Sequence, residues 1–179
     1  RGVILMTVDG GRSWSKRVDG RLAANSIVQA RELQDPERAH EARRLLLEGA
    51  LPQDVDGALT EFGFPMGPFA MSDLAGLDIS WRMRKAQGAR AEIADQLCEM
   101  GRFGQKTSKG FYLYEPGSRT PRPDADVEAL IVATSKRLGI ARHSLDRKTI
   151  TERLLFPMIN EGARILEEGI AQRPGDIDV

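Results

Sequence analysis

The sequence has one cysteine and two histidines among 179 residues, and its 26 lysines and arginines are balanced by 26 aspartates and glutamates. Each scarcity removes a class of function. A single Cys98 allows no intrachain disulfide and no multi-cysteine zinc site. It fits a reducing compartment, and the cytoplasm is the expected location. Beside Leu97 and Met100 in a helical pattern, Cys98 reads as a small core thiol; no base accompanies it to make a nucleophile. His40 and His143 stand in no metal-ligand spacing and read as surface or helix-end residues. A net charge of zero argues against a nucleic-acid binder, which carries a basic excess. The local cluster Arg82, Arg84 and Lys85 is either a solvated helix face, the simpler account, or a phosphate contact. No apolar run approaches ~20 residues, so no segment reads as a membrane span. The first residue is Arg1, with no Met and no signal-peptide pattern, as expected of a fragment or a processed piece.

What is present is an ordinary globular mixture, 41% hydrophobic and 29% charged, enough for one domain or two small ones. RGVILMTVDG at the start allows a short strand closed by the Asp9-Gly10 turn signal, and the rest of residues 1–38 has no clear period. From Glu37 the texture turns helical. ERAHEARRLLLEG predicts a helix ended by Gly49. Pro52 suits a first helical turn, after which Val55, Ala58, Leu59 and Phe62 recur at helical spacing up to Gly63. Asp78 is read as the cap of a helix running past Trp81 and Met83 to Gly88. Ile93, Leu97 and Met100 form another stripe. GRFGQKTSKGFYLYEPGSRTPRP reads as loop, with a short strand at 111–114. Val127, Leu130, Ile131, Thr134 and Leu138 predict a further helix stopped by Gly139. A last one starts near Ser144, carries Leu155, Ile159, Gly162 and Leu166 on one face, and should bend at Pro157.

Three features stand out from this nearly all-helical body. EFGFPMGPFAMSDLAGLD (61–78) puts three phenylalanines, two methionines and two prolines where a plain turn needs none of them, and reads as a pocket wall. EARRLLLEGALPQDVD (41–56) and EGARILEEGIAQRPGDID (161–178) share a pattern of Glu, Arg, an aliphatic pair, Glu-Gly and a loop. The spacing near 120 residues is too long for a solenoid; it suggests a duplicated small domain, or else chance likeness of two helix ends. GRFGQKTS misses the P-loop spacing, and no G-x-G-x-x-G follows a strand, so no phosphate-cradling turn is present. Lys106 in that Gly-rich loop can still reach a phosphate or ribose as a point charge. Asp73 and Asp78 flank a Leu-Ala-Gly-Leu bend without any visible reason for a raised pKa, which makes them a poor acid–base pair.

EFGFPMGPFAMSDLAGLD followed by GRFGQKTSKGFYLY resembles the C-terminal helical domain of 3-hydroxyacyl-CoA dehydrogenases. RLLFPMINEGARILEEGIAQRPGDIDV resembles the start of a second copy of it, as in the multifunctional fatty-acid oxidation proteins that join enoyl-CoA hydratase to the dehydrogenase. The resemblance implies an all-α fold, a helical bundle of the kind shared with 6-phosphogluconate dehydrogenase C-terminal domains, with a truncated second copy. It divides the chain into 1–38, unassigned and a candidate for disorder; 39–116, the first copy; 117–143, a linker helix; and 144–179, the start of the second copy. It implies NAD as cofactor, bound mainly by a nucleotide-binding domain absent from this sequence, with Lys106 of the G-x-K-T-x-x-G loop approaching it and Gly104 and Gly110 letting that loop bend. Phe64, Pro65, Met66, Gly67 and Pro68 match the loop that faces the acyl-CoA substrate. No residue here matches the family's catalytic His–Glu pair. The implied partners are a second copy of the protein or a thiolase subunit; the rival reading is a non-catalytic helical dimerisation module. Two departures stand. The family's Asn-Arg pair should fall at Glu32-Leu33, where neither residue matches, and in the second copy Arg153 keeps the arginine while Glu152 replaces the Asn, which makes that copy structural.

Overall fold

The structure is a computed structural model that describes residues 2–6, 15–19 and 39–176, with side chains described from Glu41 to Gly175. Strands β1 (Gly2–Met6) and β2 (Ser15–Asp19) pair antiparallel, with Ile4 opposite Arg17. The expected strand at the start is therefore present; the Asp9-Gly10 turn and most of the unassigned stretch 1–38 lie outside the described residues. Among the described residues seven α-helices follow: α1 (Ala39–Glu48), α2 (Pro52–Phe62), α3 (Pro68–Ala75), α4 (Leu77–Gln87), α5 (Glu92–Glu99), α6 (Ala125–Arg137) and α7 (Arg147–Glu167). The helical fold class holds.

The chain divides into two compact units, two of the four divisions falling inside α1 and α2: Arg1–Ala42 with Ala58–Pro65 and Asp146–Val179, and Arg43–Gly57 with Met66–Leu145. The second unit is a bundle around Leu45, Leu46, Val55, Ile93, Leu97 and Ile131, each buried. In sequence α3, α4, α5 and α6 pack each against the next. The rings of Phe69 and Phe111 pack tilted at 50°, with centroids 4.7 Å apart. Cys98 is buried here, and burial pushes its thiol up to about 11, as suits a core residue. Arg142 closes α1: its guanidinium donates to the carbonyls of Leu46, Gly49 (3.0 Å) and Ala50 (3.3 Å), groups a helix end leaves unpaired. The His143 N–H donates to Glu48 O at 2.9 Å. A Cβ at Gly49 would stand 1.8 Å from His143 O, so only glycine permits that crossing.

In the first unit, Asp146 caps α7 by accepting the Thr149 N–H at 2.7 Å. Ile150, Leu155, Glu161 and Ile165 are its buried positions. The helix runs through Pro157 without interruption to Glu167, where Gly169 (φ +69°) ends the regular backbone. Arg153 Nε pairs with Glu41 Oε1 at 2.5 Å. Of the two matching helix ends, Leu45 and Ile165 are both buried, and both are followed four residues later by a positive-φ glycine.

Three sequence expectations are corrected, and one helix goes beyond them. The stretch after Gly67 is helix α3: Pro68 stands at its first position, where a missing N–H costs nothing. Asp78 does not cap α4; the cap position is Gly76, and Asp78 lies in the first turn. Met100 lies beyond the end of α5 and is 59% exposed, so the apolar stripe stops at Leu97. Residues 111–114 form no strand; Lys109↔Leu113 and Leu113↔Arg122 are isolated bridges.

Candidate functional site

The five residues expected to face substrate fall at the join between α2 and α3. Phe64 belongs to the first unit; its N–H donates to Leu59 O at 3.0 Å and its ring lies 6.1 Å from that of Phe62. It is half-buried, and Pro65 is exposed. In the second unit Met66 is half-buried and Gly67 is buried. The cause at Gly67 is Asp56: a Cβ there would sit 2.3 Å from Asp56 Cα. Pro68 opens α3.

Asp56 and Asp73 explain how α2, α3 and the 104–114 segment are joined. The Asp56 carboxylate accepts the N–H groups of Phe69 (3.0 Å) and Ala70 (2.9 Å), in the first turn of α3, and the Tyr112 hydroxyl (2.9 Å). A carboxylate at a helix N-terminus also meets the positive end of the helix dipole. Asp73 accepts the N–H groups of Phe111 (2.9 Å) and Tyr112 (3.0 Å) and the Tyr114 hydroxyl (3.0 Å). Tyr112 thus serves both carboxylates, one with its backbone and one with its side chain. Burial pushes both acids up, Asp73 to about 6, while the donors and hydroxyls pull the other way. Burial and the neighbouring carboxylates push both tyrosines up.

The Gly-rich loop is built against Asp73 at each end. Gly104 has φ +96°, and a Cβ on it would stand 2.2 Å from Asp73 O. Gly110 needs no unusual φ; a Cβ on it would stand 2.0 Å from Asp73 Oδ1. Between them, the Gly104 N–H donates to Lys109 O at 2.8 Å, and Thr107 Oγ1 accepts the Phe103 N–H at 2.9 Å. Residues Gln105–Thr107 form one 3₁₀ turn. Lys106, 49% exposed on its side chain, donates to Asp78 Oδ1 and lies 5.8 Å from the Phe103 ring centre. The hydrogen bond from Lys106, with its charge, holds the Asp78 carboxyl below the usual range. Behind the loop, Arg102 donates to Gly110 O (3.0 Å) and pairs with Asp124 in a buried bridge. Asp124 also caps α6 through the Asp126 N–H.

The structure therefore brings the Lys106 loop together with Asp73 and Asp78, which the sequence pattern offers as a poor acid–base pair and, for Asp78, as a helix cap. Asp56, Arg102 and the two tyrosines were missed. One signal was available for Asp56: Pro52, Val55, Asp56 and Leu59 follow the i, i+3, i+4, i+7 rule, so a carboxylate lies on the buried stripe. His143 is exposed; the His40 side chain lies outside the described residues. No cluster of three potential metal ligands occurs among the described residues, nor any helix long and apolar enough to cross a membrane. The first unit carries an open groove of about 750 Å³, with Phe62, Leu155, Phe156 and Ile159 on its walls and the Arg147–Glu61 pair at its edge. Phe64, Pro65, Met66, Gly67 and Pro68 are not among its walls.

Residues 37–114 match the model of the 3-hydroxyacyl-CoA dehydrogenase C-terminal domain. The peroxisomal bifunctional enzyme of Danio rerio is 44% identical over 158 residues, 78% of this chain and 22% of that protein. The Homo sapiens peroxisomal bifunctional enzyme is 45% identical over 159 residues, with the same coverages of 78% and 22%. The fatty acid oxidation complex subunit alpha of Shewanella sp. (strain MR-4) is 34% identical over 149 residues, 78% of this chain and 20% of that one. The dehydrogenase part of multifunctional enzyme 1 from C. elegans superposes with a TM-score of 0.71 at 30% identity, over 86% of this chain and 35% of that one. The chain spans about a fifth of the length of the curated relatives it matches.

Proposed function

From the match of residues 37–114 to the model of the 3-hydroxyacyl-CoA dehydrogenase C-terminal domain, we propose that the chain is the helical part of an NAD-dependent L-3-hydroxyacyl-CoA dehydrogenase of fatty-acid β-oxidation. The observation that supports this reading is the likeness to peroxisomal bifunctional enzymes at 44–45% identity over 78% of this chain, more than the matched domain alone, together with 35% identity to the peroxisomal fatty acid beta-oxidation multifunctional protein AIM1 of Arabidopsis thaliana. The reaction is oxidation of the C3 hydroxyl of a 3-hydroxyacyl-CoA to the ketone, and NAD+ accepts the hydride when bound. The division into a first copy at 39–116, a linker helix at 117–143 and the start of a second copy at 144–179 belongs to the same proposal.

The residues present fit a contact with the cofactor. An ammonium has three N–H donors. Lys106 gives one to Asp78 and stays half exposed, leaving donors for a polar group of NAD. On the substrate side, Phe64, Pro65, Met66, Gly67 and Pro68 are the proposed contacts with the acyl chain; within the second unit, Gly67 is packed on Asp56 and Pro68 opens α3. The sequence holds no G-x-G-x-x-G fingerprint, so the isolated chain contributes cleft and contact surface rather than turnover. Its partners are acyl-CoA and either a second copy or a thiolase subunit. The cytoplasm is the compartment read from the sequence, whereas the animal relatives are named peroxisomal; cell fractionation distinguishes the two.

Two assays test the reading. NADH consumption with acetoacetyl-CoA is expected to be absent for the 179-residue chain alone; steady oxidation of NADH would contradict the division of labour. Calorimetry with a long-chain acyl-CoA is expected to show binding, and a silent titration favours the dimerisation module instead.

A further inference from the structure

Asp73 and Asp78 have no place in the chemistry proposed above, yet they hold the loop that carries Lys106. Asp73 does so from both of its polar ends. Its backbone carbonyl lies where a side chain on Gly104 would have to go, and its carboxylate lies where one on Gly110 would. The same carboxylate takes the N–H groups of Phe111 and Tyr112 and the Tyr114 hydroxyl, just past the loop. All of these distances leave no room for water between the partners. Five residues on, Asp78 takes the Lys106 ammonium from the loop's centre. The spacing follows from the chain: Gly76 ends α3 and begins α4 with φ +96°, turning the backbone so that Asp73 and Asp78 face the same loop. The Leu77 N–H completes the seam by donating to Phe103 O at 3.2 Å. A Cβ at Gly76 would stand 3.0 Å from Asp78 Oδ1 and 3.2 Å from Lys106 Nζ, so the bend itself makes room for the ion pair.

We infer that Asp73 and Asp78 are positioning residues that act on the cofactor through Lys106: Asp73 fixes the course of the 104–110 loop, and Asp78 aims the ammonium at its centre. This rests on reading Lys106 as a cofactor contact. A charge-assisted bond to a fixed carboxylate removes the freedom of a long, flexible side chain before the cofactor arrives. It also makes Lys106 a directed donor rather than a loose counter-charge, so the cofactor group it meets is a hydrogen-bond acceptor such as a carboxamide or a ribose hydroxyl.

Two readouts need no cofactor. Hydrogen–deuterium exchange on the 179-residue chain reads the loop, with α6 as the internal reference. Asp73→Asn is expected to speed exchange of residues 104–114 by at least about tenfold, the cost of weakening bonds to a charged acceptor, while α6 changes little. Tyr114→Phe, which removes one donor and keeps the core filled, should do the same to a smaller degree. If Asp73→Asn fails to fold, Tyr114→Phe decides; unchanged loop exchange in it overturns the assignment of Asp73. Acylation of lysines, followed by mass spectrometry, reads the ion pair. Asp78→Asn should raise the rate at Lys106 relative to Lys109 in the same chain, and an unchanged ratio overturns the assignment of Asp78. The third readout uses the assembled dehydrogenase that contains this chain. There Asp78→Asn should raise KM for NADH by about tenfold, the worth of one charge-assisted bond, and leave the KM for acetoacetyl-CoA and the kcat near their starting values. Equal losses in all three parameters, or none, overturn the claim that the pair acts through the cofactor. An assembled wild-type protein without NADH-dependent activity overturns the proposed function instead, and the exchange and acylation results still judge the two carboxylates.

Discussion

Gly67→Ala tests whether the Pro-Met-Gly-Pro stretch is built around Asp56. The added methyl carbon would lie 2.3 Å from Asp56 Cα and from its Cγ, and 2.4 Å from its Cβ. Backbone on both sides leaves no flexible tip to yield, so α2 and α3 must part. Their separation stretches the bonds from Phe69 and Ala70 to the Asp56 carboxylate, 3.0 and 2.9 Å in the parent chain. Overpacking costs about 1–3 kcal/mol and one hydrogen bond to a charged acceptor about 1.5–3 kcal/mol, so losing one of the two sums to about 3–6 kcal/mol. That is a large share of the ~5–15 kcal/mol by which a domain is stable. Urea unfolding followed by circular dichroism measures it directly, and the thermal midpoint should fall by about 10–20 °C for a chain of this size. A variant within about 1 kcal/mol of the parent would show that the two helices are free to adjust, and the account of Gly67 would be wrong.

Further outcomes follow from the same geometry. Asp73 has its pKa raised to about 6 in the folded chain, so the native state binds its proton more tightly than the unfolded state does. Its stabilising contribution is full below the unfolded value and is lost as pH rises from about 4 through about 6, a loss of about 3 kcal/mol; Asp73→Asn should flatten that part of the stability profile. Arg102→Met should cost about 3–5 kcal/mol in chemical denaturation, because the buried Asp124 carboxylate then stands without its counter-charge, and Arg102→Lys should recover only part, having no second arm for Gly110 O. Cys98 should resist a disulfide-exchange reagent in the native chain and react fully in guanidinium, since it is buried with its thiol pushed up to about 11; prompt native labelling would place it outside the core.

The helices were legible wherever an apolar stripe met a glycine or proline boundary: α1, α2, α5 and α6 follow from Gly49, Pro52, Gly101 and Gly139 almost residue by residue. Helix α3 was hidden because its eight residues carry too little period to show a face, and its capping partner, Asp56, lies on another helix. The FYLY segment has the aromatic and aliphatic make-up of a strand, but the Phe111 and Tyr112 N–H groups go to Asp73 and that of Tyr114 to Ser108 O, which leaves only the Leu113 N–H in a bridge, to Arg122. The Gly-rich loop from Gly104 to Gly110 was legible as a loop from its glycines. The carboxylates that hold the loop were visible as residues and not as a site, since what unites Asp73, Asp78 and Lys106 is a fold in three dimensions around Gly76 and no spacing announces it.

Tyr112 gives its amide to one buried acid and its phenol to another. Stretches far apart along the chain are thereby riveted at a single side chain. A segment fastened this way cannot peel off as a hinged flap while its neighbours stay put. Opening here is one concerted rupture or nothing, and any ligand that enters must find the loop's frame already assembled.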